Sequence, residues 1–262
     1  MIVEFIGTPG SGKTSLLPVL AKIFTEHNQV ARTVVEASRP VVSRTKFGKS
    51  ITRFSPNFLR DPLLWQAFYW MSYLSRRNFS IERPELVNHV RTTQRDRDIP
   101  VEERNHNLSW WFHLSGYYQF LVPRLKSNEI LVLDEGFAHR VVQFNASDHE
   151  DINQENLSIY LDLIPKPDFL IFVDLPLKEC ERRVYERGLW PRFAHKSRQQ
   201  VSNFISNSHL VASKTVEMLK SRDWDIIEID NSAESISPAA QELDNKISLL
   251  LEKFPSSSKM SS

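Results

Sequence analysis

A single cysteine, Cys180, in a chain of 262 residues leaves no partner for an intrachain disulfide and points to a reducing compartment. Its place in a helical pattern reads as a small core side chain, not a nucleophile. Charge of either sign is not in excess: 33 Lys and Arg against 32 Asp and Glu give a formal net charge of +1. No global field therefore recruits nucleic acid or an anionic membrane. Long hydrophobic runs are missing too, and none approaches the ~20 residues that cross a bilayer. The amino terminus enters a strand at once, unlike a signal peptide. A cytoplasmic location is expected. No spacing of Cys and His suits a zinc site. Glycine is scarce at seven residues, yet Gly7, Gly10 and Gly12 fall within eight positions.

Those positions read Gly7-Thr8-Pro9-Gly10-Ser11-Gly12-Lys13-Thr14, followed by Ser15. This is a complete G-x-x-x-x-G-K-T phosphate-binding loop, the Walker A motif. An apolar strand, Ile2 to Ile6, precedes it and a helical pattern, Ser15 to His27, follows. Backbone N–H groups of such a loop, with the N-terminus of the next helix, make a positively polarised nest for polyphosphate. Lys13 would reach the β- and γ-phosphates, and the Thr14 hydroxyl would coordinate Mg²⁺. The implied ligand is a nucleoside triphosphate, taken as ATP because no guanine signature is present.

Five apolar runs read as strands: 2–6, 32–36, 130–134, 169–174 and 225–229. Near-continuous Val, Ile, Leu and Phe in 2–6, 130–134 and 169–174 is the mark of strands buried on both faces of a parallel sheet. Helical patterns lie between, at about 62–77, 101–127, 151–163, 177–187, 196–220 and 238–253. Asp61-Pro62 reads as a cap and first-turn pair. Pro18 should bend the helix after the loop without breaking it. The expectation is an α/β fold with a doubly wound, mostly parallel five-stranded sheet, its ligand at the carboxyl ends of the strands. One domain spans 1–254, with a helical insertion at about 55–128, a lid at about 182–200 and a disordered tail at 255–262. The charge-rich run 91–104 reads as a solvated face with local ion pairs.

Asp134 ends the strand Ile130-Leu131-Val132-Leu133 and is followed by Glu135. That is the form of a Walker B acid, so Asp134 would hold the metal and Glu135 would polarise a nucleophile or orient the site. Glu36, read as the end of the second strand, would point into the ligand crevice and accept a proton from an acceptor hydroxyl or order the metal's waters. A cap or an ion pair with Arg39 is the other reading. Arg183 and Arg187 lie on the helix after the fourth strand, placed to clamp a transferring phosphoryl group, with Arg182 divided between that role and solvent. Arg192 and Arg198 lie beyond. Aromatics in the insertion (Trp65, Phe68, Tyr69, Trp70, Trp110, Trp111, Phe112, Tyr117 and Tyr118), with Gln66, would build an acceptor pocket or the core between the inserted helices. His113 and His139 read more readily as structural.

The order of these motifs resembles the nucleoside and nucleotide kinases of the P-loop group, thymidylate kinases and deoxynucleoside kinases in particular. The resemblance rests on Gly7 to Thr14, Val-Val-Glu36, Asp134, the run Lys166-Pro167-Asp168 to Asp174-Leu175-Pro176, and the Arg182 to Gly188 helix. It covers about two-thirds of the chain. It implies that Ile229-Asp230-Asn231-Ser232 wraps the adenine. Those families carry an arginine directly after the third-strand acid, where this chain has Glu135, with Arg140 five residues later. The implied activity is transfer of the γ-phosphate of ATP, with Mg²⁺, to a small phosphoryl acceptor such as a nucleoside or nucleotide. Three alternatives stand beside it: an ATPase or nucleotide switch acting on a protein partner, a sulfotransferase, and a binding module without turnover. Exposed aromatics on the insertion would suit a homodimer contact.

Overall fold

The computed structural model describes residues 1–146, 152–190, 193, 196–233 and 235–253. The expected tail at 255–262 and Arg192 lie outside these. The apolar runs pair as β1 (Ile2–Ile6), β2 (Val30–Thr33), β3 (Glu129–Leu133), β4 (Phe169–Asp174) and β5 (Ile226–Asp230). All neighbours are parallel, in the order β2-β3-β1-β4-β5. This is the doubly wound α/β sheet that the sequence implied.

Alternate residues of the buried strands part to opposite faces. Val3, Phe5, Ile130, Val132 and Ile171 pack with Leu16, Leu20 and Phe24 of α1 (Lys13–Glu26) and with Leu243 and Ile247 of α11 (Ser237–Lys253). Ile2, Ile6, Leu131, Leu133 and Leu170 face a larger core. That core is supplied by α2 (Val34–Arg44), α4 (Asn57–Glu82), α5 (Pro84–Asp96), α6 (Val101–Leu121), α7 (Phe137–Asn145), α8 (Gln154–Leu163), α9 (Leu177–Arg187) and α10 (Arg198–Lys220). A short α3 (Lys46–Phe54) completes the run of helices between β2 and β3. Cys180 is buried in the core, and burial pushes its thiol up to about 11, as an inert packing residue requires.

Three sequence expectations are corrected. The second strand runs 30–33 and not 32–36, because Thr33 caps a helix that starts at Val34. The Thr33 hydroxyl accepts from Glu36 N, and the Glu36 carboxylate accepts from Thr33 N at 2.8 Å. This reciprocal cap outweighs the β-propensity of Val34-Val35. Asp61-Pro62 does not start a helix, since α4 begins at Asn57 and passes through Pro62. The aromatic helix ends at Leu121 and gives way to a 3₁₀ turn, Val122–Arg124, at Pro123. α1 runs unbroken through Pro18.

Candidate active site

The loop after β1 leads into α1 at the carboxyl end of the sheet. Gly12, the residue before α1, has φ 95°. A Cβ there would be strained and would collide with the side-chain amide of Asn231. That amide donates to Ser11 O at 2.7 Å, so the residue after β5 ties down the loop. From the other side, the Thr8 hydroxyl bonds His209 Nδ1 of α10 at 3.1 Å. Lys13 curls back over the loop and donates to Gly7 O at 2.8 Å and Thr8 O at 3.0 Å. Burial pulls its pKa down to about 8, against the opposing pull of Glu135 and Asp134, which lie within electrostatic reach. Thr14 and Ser15 are exposed at the start of α1.

Asp134 follows β3, the neighbour of β1, and is half-buried. Burial and the adjoining Glu135 charge raise its pKa. Glu135 is engaged: Arg140 Nη1 lies 3.3 Å from its carboxylate and Gln143 Nε2 donates to it at 3.2 Å. Arg140 also bonds the Gln143 side chain and lies over the Trp110 ring at 5.1 Å. All three ride on or just before α7, whose amino end is held by a residue that sequence reasoning passed over. Glu4, in the middle of β1, points to the face of Ile2 and Ile6, where α7 begins. Its carboxylate accepts from His139 N at 2.9 Å and fills the space beside Gly136 that a side chain would need. Burial raises the Glu4 pKa to about 8, opposed by the backbone N–H groups of His139, Ala138 and Phe137 and by Arg140. His139 itself is only 4% exposed. Burial, then Lys13 and Arg140, hold its pKa well below the ordinary 6.5, so the ring is neutral.

Between these segments lies a cleft of about 790 Å³. Pro9, Gly10, Gly12, Lys13, Thr14 and Ser15 form one wall; Glu135, His139, Val142 and Gln143 form the second. Arg183, Arg187, Trp190 and Phe204 form the third, and His106 and Trp110 of α6 close it. Arg183 is braced by Glu179 at 3.0 Å and by Asn231 O at 3.2 Å. The Arg187 guanidinium lies over the Trp190 ring at 4.8 Å. Arg182 points outward and pairs with Glu179 and Glu186, the solvated reading.

The structure thus brings Lys13, Glu135, Arg183 and Arg187 to one cleft, with Asp134 at its base strand. It does not bring Glu36 there: that carboxylate is exposed and occupied by the Thr33 cap. The signal was available, since Thr33-Val34-Val35-Glu36 is a capping box written in sequence. Of the insertion aromatics, only Trp110 is among the residues lining the cleft. Phe68 and Trp111 are core, whereas Gln66, Trp65, Tyr69 and Trp70 face outward from α4. Asn231 was singled out only by the resemblance, as part of a loop around the adenine, and its tie to Ser11 O was not foreseen. His209, Trp190 and Phe204 carried no sequence signal beyond residue type, because their places arise from contacts across the fold.

No family model matches the chain, and no curated protein matches it in sequence. Solved structures do align with it. A thymidylate kinase from Candida albicans aligns over 97% of this chain and 91% of its own, at 14% identity and a TM-score of 0.49. A thymidylate kinase from Ehrlichia chaffeensis aligns over 96% and 98%, at 14% identity and 0.45. A deoxyadenosine kinase from M. mycoides, solved with dCTP, aligns over 95% and 100%, at 12% identity and 0.44. These are likenesses of chain path alone. Among the described residues, no helix is long and apolar enough to cross a membrane.

Proposed function

We propose that this chain transfers the γ-phosphate of ATP to a small acceptor carrying a hydroxyl or phosphate, of nucleoside or nucleotide size. One observation carries the reading. A complete phosphate loop with Lys13 opens on a cleft that is also lined by Arg183 and Arg187 and by Trp110 and Gln143. The loop and the arginines suit a polyphosphate, and Trp110 with Gln143 suits a ring with polar edges.

The residues fit Mg·ATP. The loop backbone is held by Asn231 and His209, and its left-handed turn at Gly12 leaves no room for a side chain, so backbone N–H groups face the ligand space. Asp134 and Glu135 stand side by side; burial first, and then the Glu135 charge, raise the Asp134 pKa, and a divalent cation there would offset both. Thr14 and Asp134 would hold Mg²⁺, which supplies charge neutralisation on the phosphates. The chain's own groups do the rest. Lys13 exchanges its bonds to Gly7 O and Thr8 O for phosphate oxygens. Arg183 and Arg187 meet charge that spreads over the transferring group. Trp110 and Gln143 orient the acceptor so that attack becomes effectively unimolecular. Glu36, committed to a helix cap, is given no part.

An ATPase acting on a protein partner would need Glu135 free to orient water. Its carboxylate is held instead by Arg140 and Gln143. The deciding experiment follows ADP release from Mg·ATP with and without nucleosides, nucleotides, sugars and amino alcohols. Stimulation by one acceptor class, reduced roughly 100-fold or more by Lys13→Ala, is expected. Turnover that ignores every acceptor would transfer the case to the ATPase.

A further inference from the structure

A second hollow, of about 440 Å³, lies outside the cleft among the inserted helices. It is lined by Arg76 and Arg77 of α4, Arg91 of α5, and Ser109 and Phe112 of α6. Among the described residues, none of these three arginines is paired with a carboxylate, in a chain whose net charge is only +1. Their positions are built. The Arg76 guanidinium lies over the Tyr73 ring at 4.8 Å, and Arg91 lies over Phe112 at 5.2 Å. Arg76 Nε is buried with no hydrogen-bond partner. Its stem runs so close to α6 that a Cβ on Gly116 would stand 2.8 Å from Arg76 Cγ. The charge reaches its surroundings: after burial, Arg76 is the next cause of the lowered His113 pKa.

We infer that this hollow is a second anion site, which takes a small polyphosphate or phosphate ester. A guanidinium fork matches two oxygens of a phosphate, and three forks around one hollow match a multiply charged oxyanion better than a single carboxylate. Two arginines are already oriented by aromatic faces, so little side-chain entropy is lost on binding. The three cations share one hollow with Phe112, Tyr73 and Leu74, and this common lining favours a compact anion over an extended nucleic-acid strand. Ser109 and Phe112 line this hollow while His106 and Trp110 of the same helix line the cleft. A ligand here therefore bears on the helix that closes the cleft.

The test is calorimetric titration of the full chain with inorganic tripolyphosphate at low ionic strength. Wild type is expected to bind two equivalents, and Lys13→Ala to keep the second. Arg77→Gln with Arg91→Gln, both exposed positions, should weaken the second at least tenfold and leave the first. Arg76→Lys, which preserves the packed stem but removes the fork, should weaken it as well. A single equivalent lost in Lys13→Ala would overturn the inference, as would two equivalents surviving in the double variant. So would a short RNA that binds through these arginines more tightly than tripolyphosphate.

Discussion

At the scale of single residues, the loop is held by few atoms, and each makes a distinct prediction. Gly12 combines a left-handed φ with the Asn231 amide packed against its open side. Gly12→Ala should cost about 1–3 kcal/mol of stability through backbone strain. It should also cost ATP affinity, because Asn231 must move and release Ser11 O. Urea denaturation and ATP titration together check this; a variant with unchanged affinity would show that the Asn231 tie does not shape the loop. Lys13 makes a pH prediction. Its pKa without ligand is drawn down to about 8, so part of the population is neutral in mildly alkaline solution. Triphosphate favours the ammonium, so binding must take up a proton there, and affinity must fall as pH rises through 8. Calorimetry at pH 8.5 in buffers of different ionisation enthalpy reads the proton directly. No uptake would mean that Lys13 is fully charged beforehand.

At the scale of elements, the functional strand-to-loop junctions were legible because each carries a local signature. Glycine clustering marks the turn after β1, and an apolar run ending in Asp134 marks β3. Gly188 stops α9 directly after Arg187 with φ 90°, a backbone region that favours glycine. The errors arose where two local signals compete, as at Thr33 to Glu36, or where a proline is tolerated within a helix, as at Pro62. No sequence expectation covers α7. Its first turn carries His139 and Arg140, which look unremarkable until Glu4 is seen to cap it from β1. That cap joins residues far apart in sequence, and no periodicity reveals it. Glu4 also gives α7 a pH signature. Its folded pKa of about 8 exceeds the ordinary 4.5, so the folded state holds an extra proton between these values. Its contribution to stability is therefore complete below pH 4.5 and is lost as pH rises towards 8. Glu4→Gln, always neutral, should flatten this decline. Denaturation midpoints at pH 6 and 8.5 would show the wild type losing more stability than the variant; equal losses would mean that Glu4 is ionised throughout.

At the scale of the molecule, the cleft occupies one end of the sheet and a charge knot secures the other. Glu129, at the amino end of β3, is 7% exposed at its side chain and accepts from Arg32 of β2 at 2.6 Å. It also accepts from Arg44 of α2 at 2.7 and 2.8 Å, and from Lys126 N at 2.9 Å. The knot therefore fastens the edge strand and the first helix after it to the sheet interior. It lies away from the phosphate loop, so its loss should change stability and not chemistry. The Arg44 hydrogen bonds, ahead of burial, which opposes them, hold the Glu129 pKa down at about 2. Because this is below the ordinary 4.5, the stabilisation is present above pH 4.5 and disappears as pH falls to about 2. Integrated over that interval it amounts to about 3 kcal/mol. Glu129→Gln keeps the shape but leaves two guanidinium groups without their counter-charge, and should lower stability by roughly that amount at pH 7. The two proteins should converge on acidification, while the ATP affinity of the variant stays within about twofold of wild type, since distant sites are nearly independent. Urea midpoints from pH 7 to pH 3, paired with ATP titration at pH 7, check both parts. A gap that stays constant with pH would assign the loss to packing, and a lost ATP affinity would show that the two ends of the sheet are coupled.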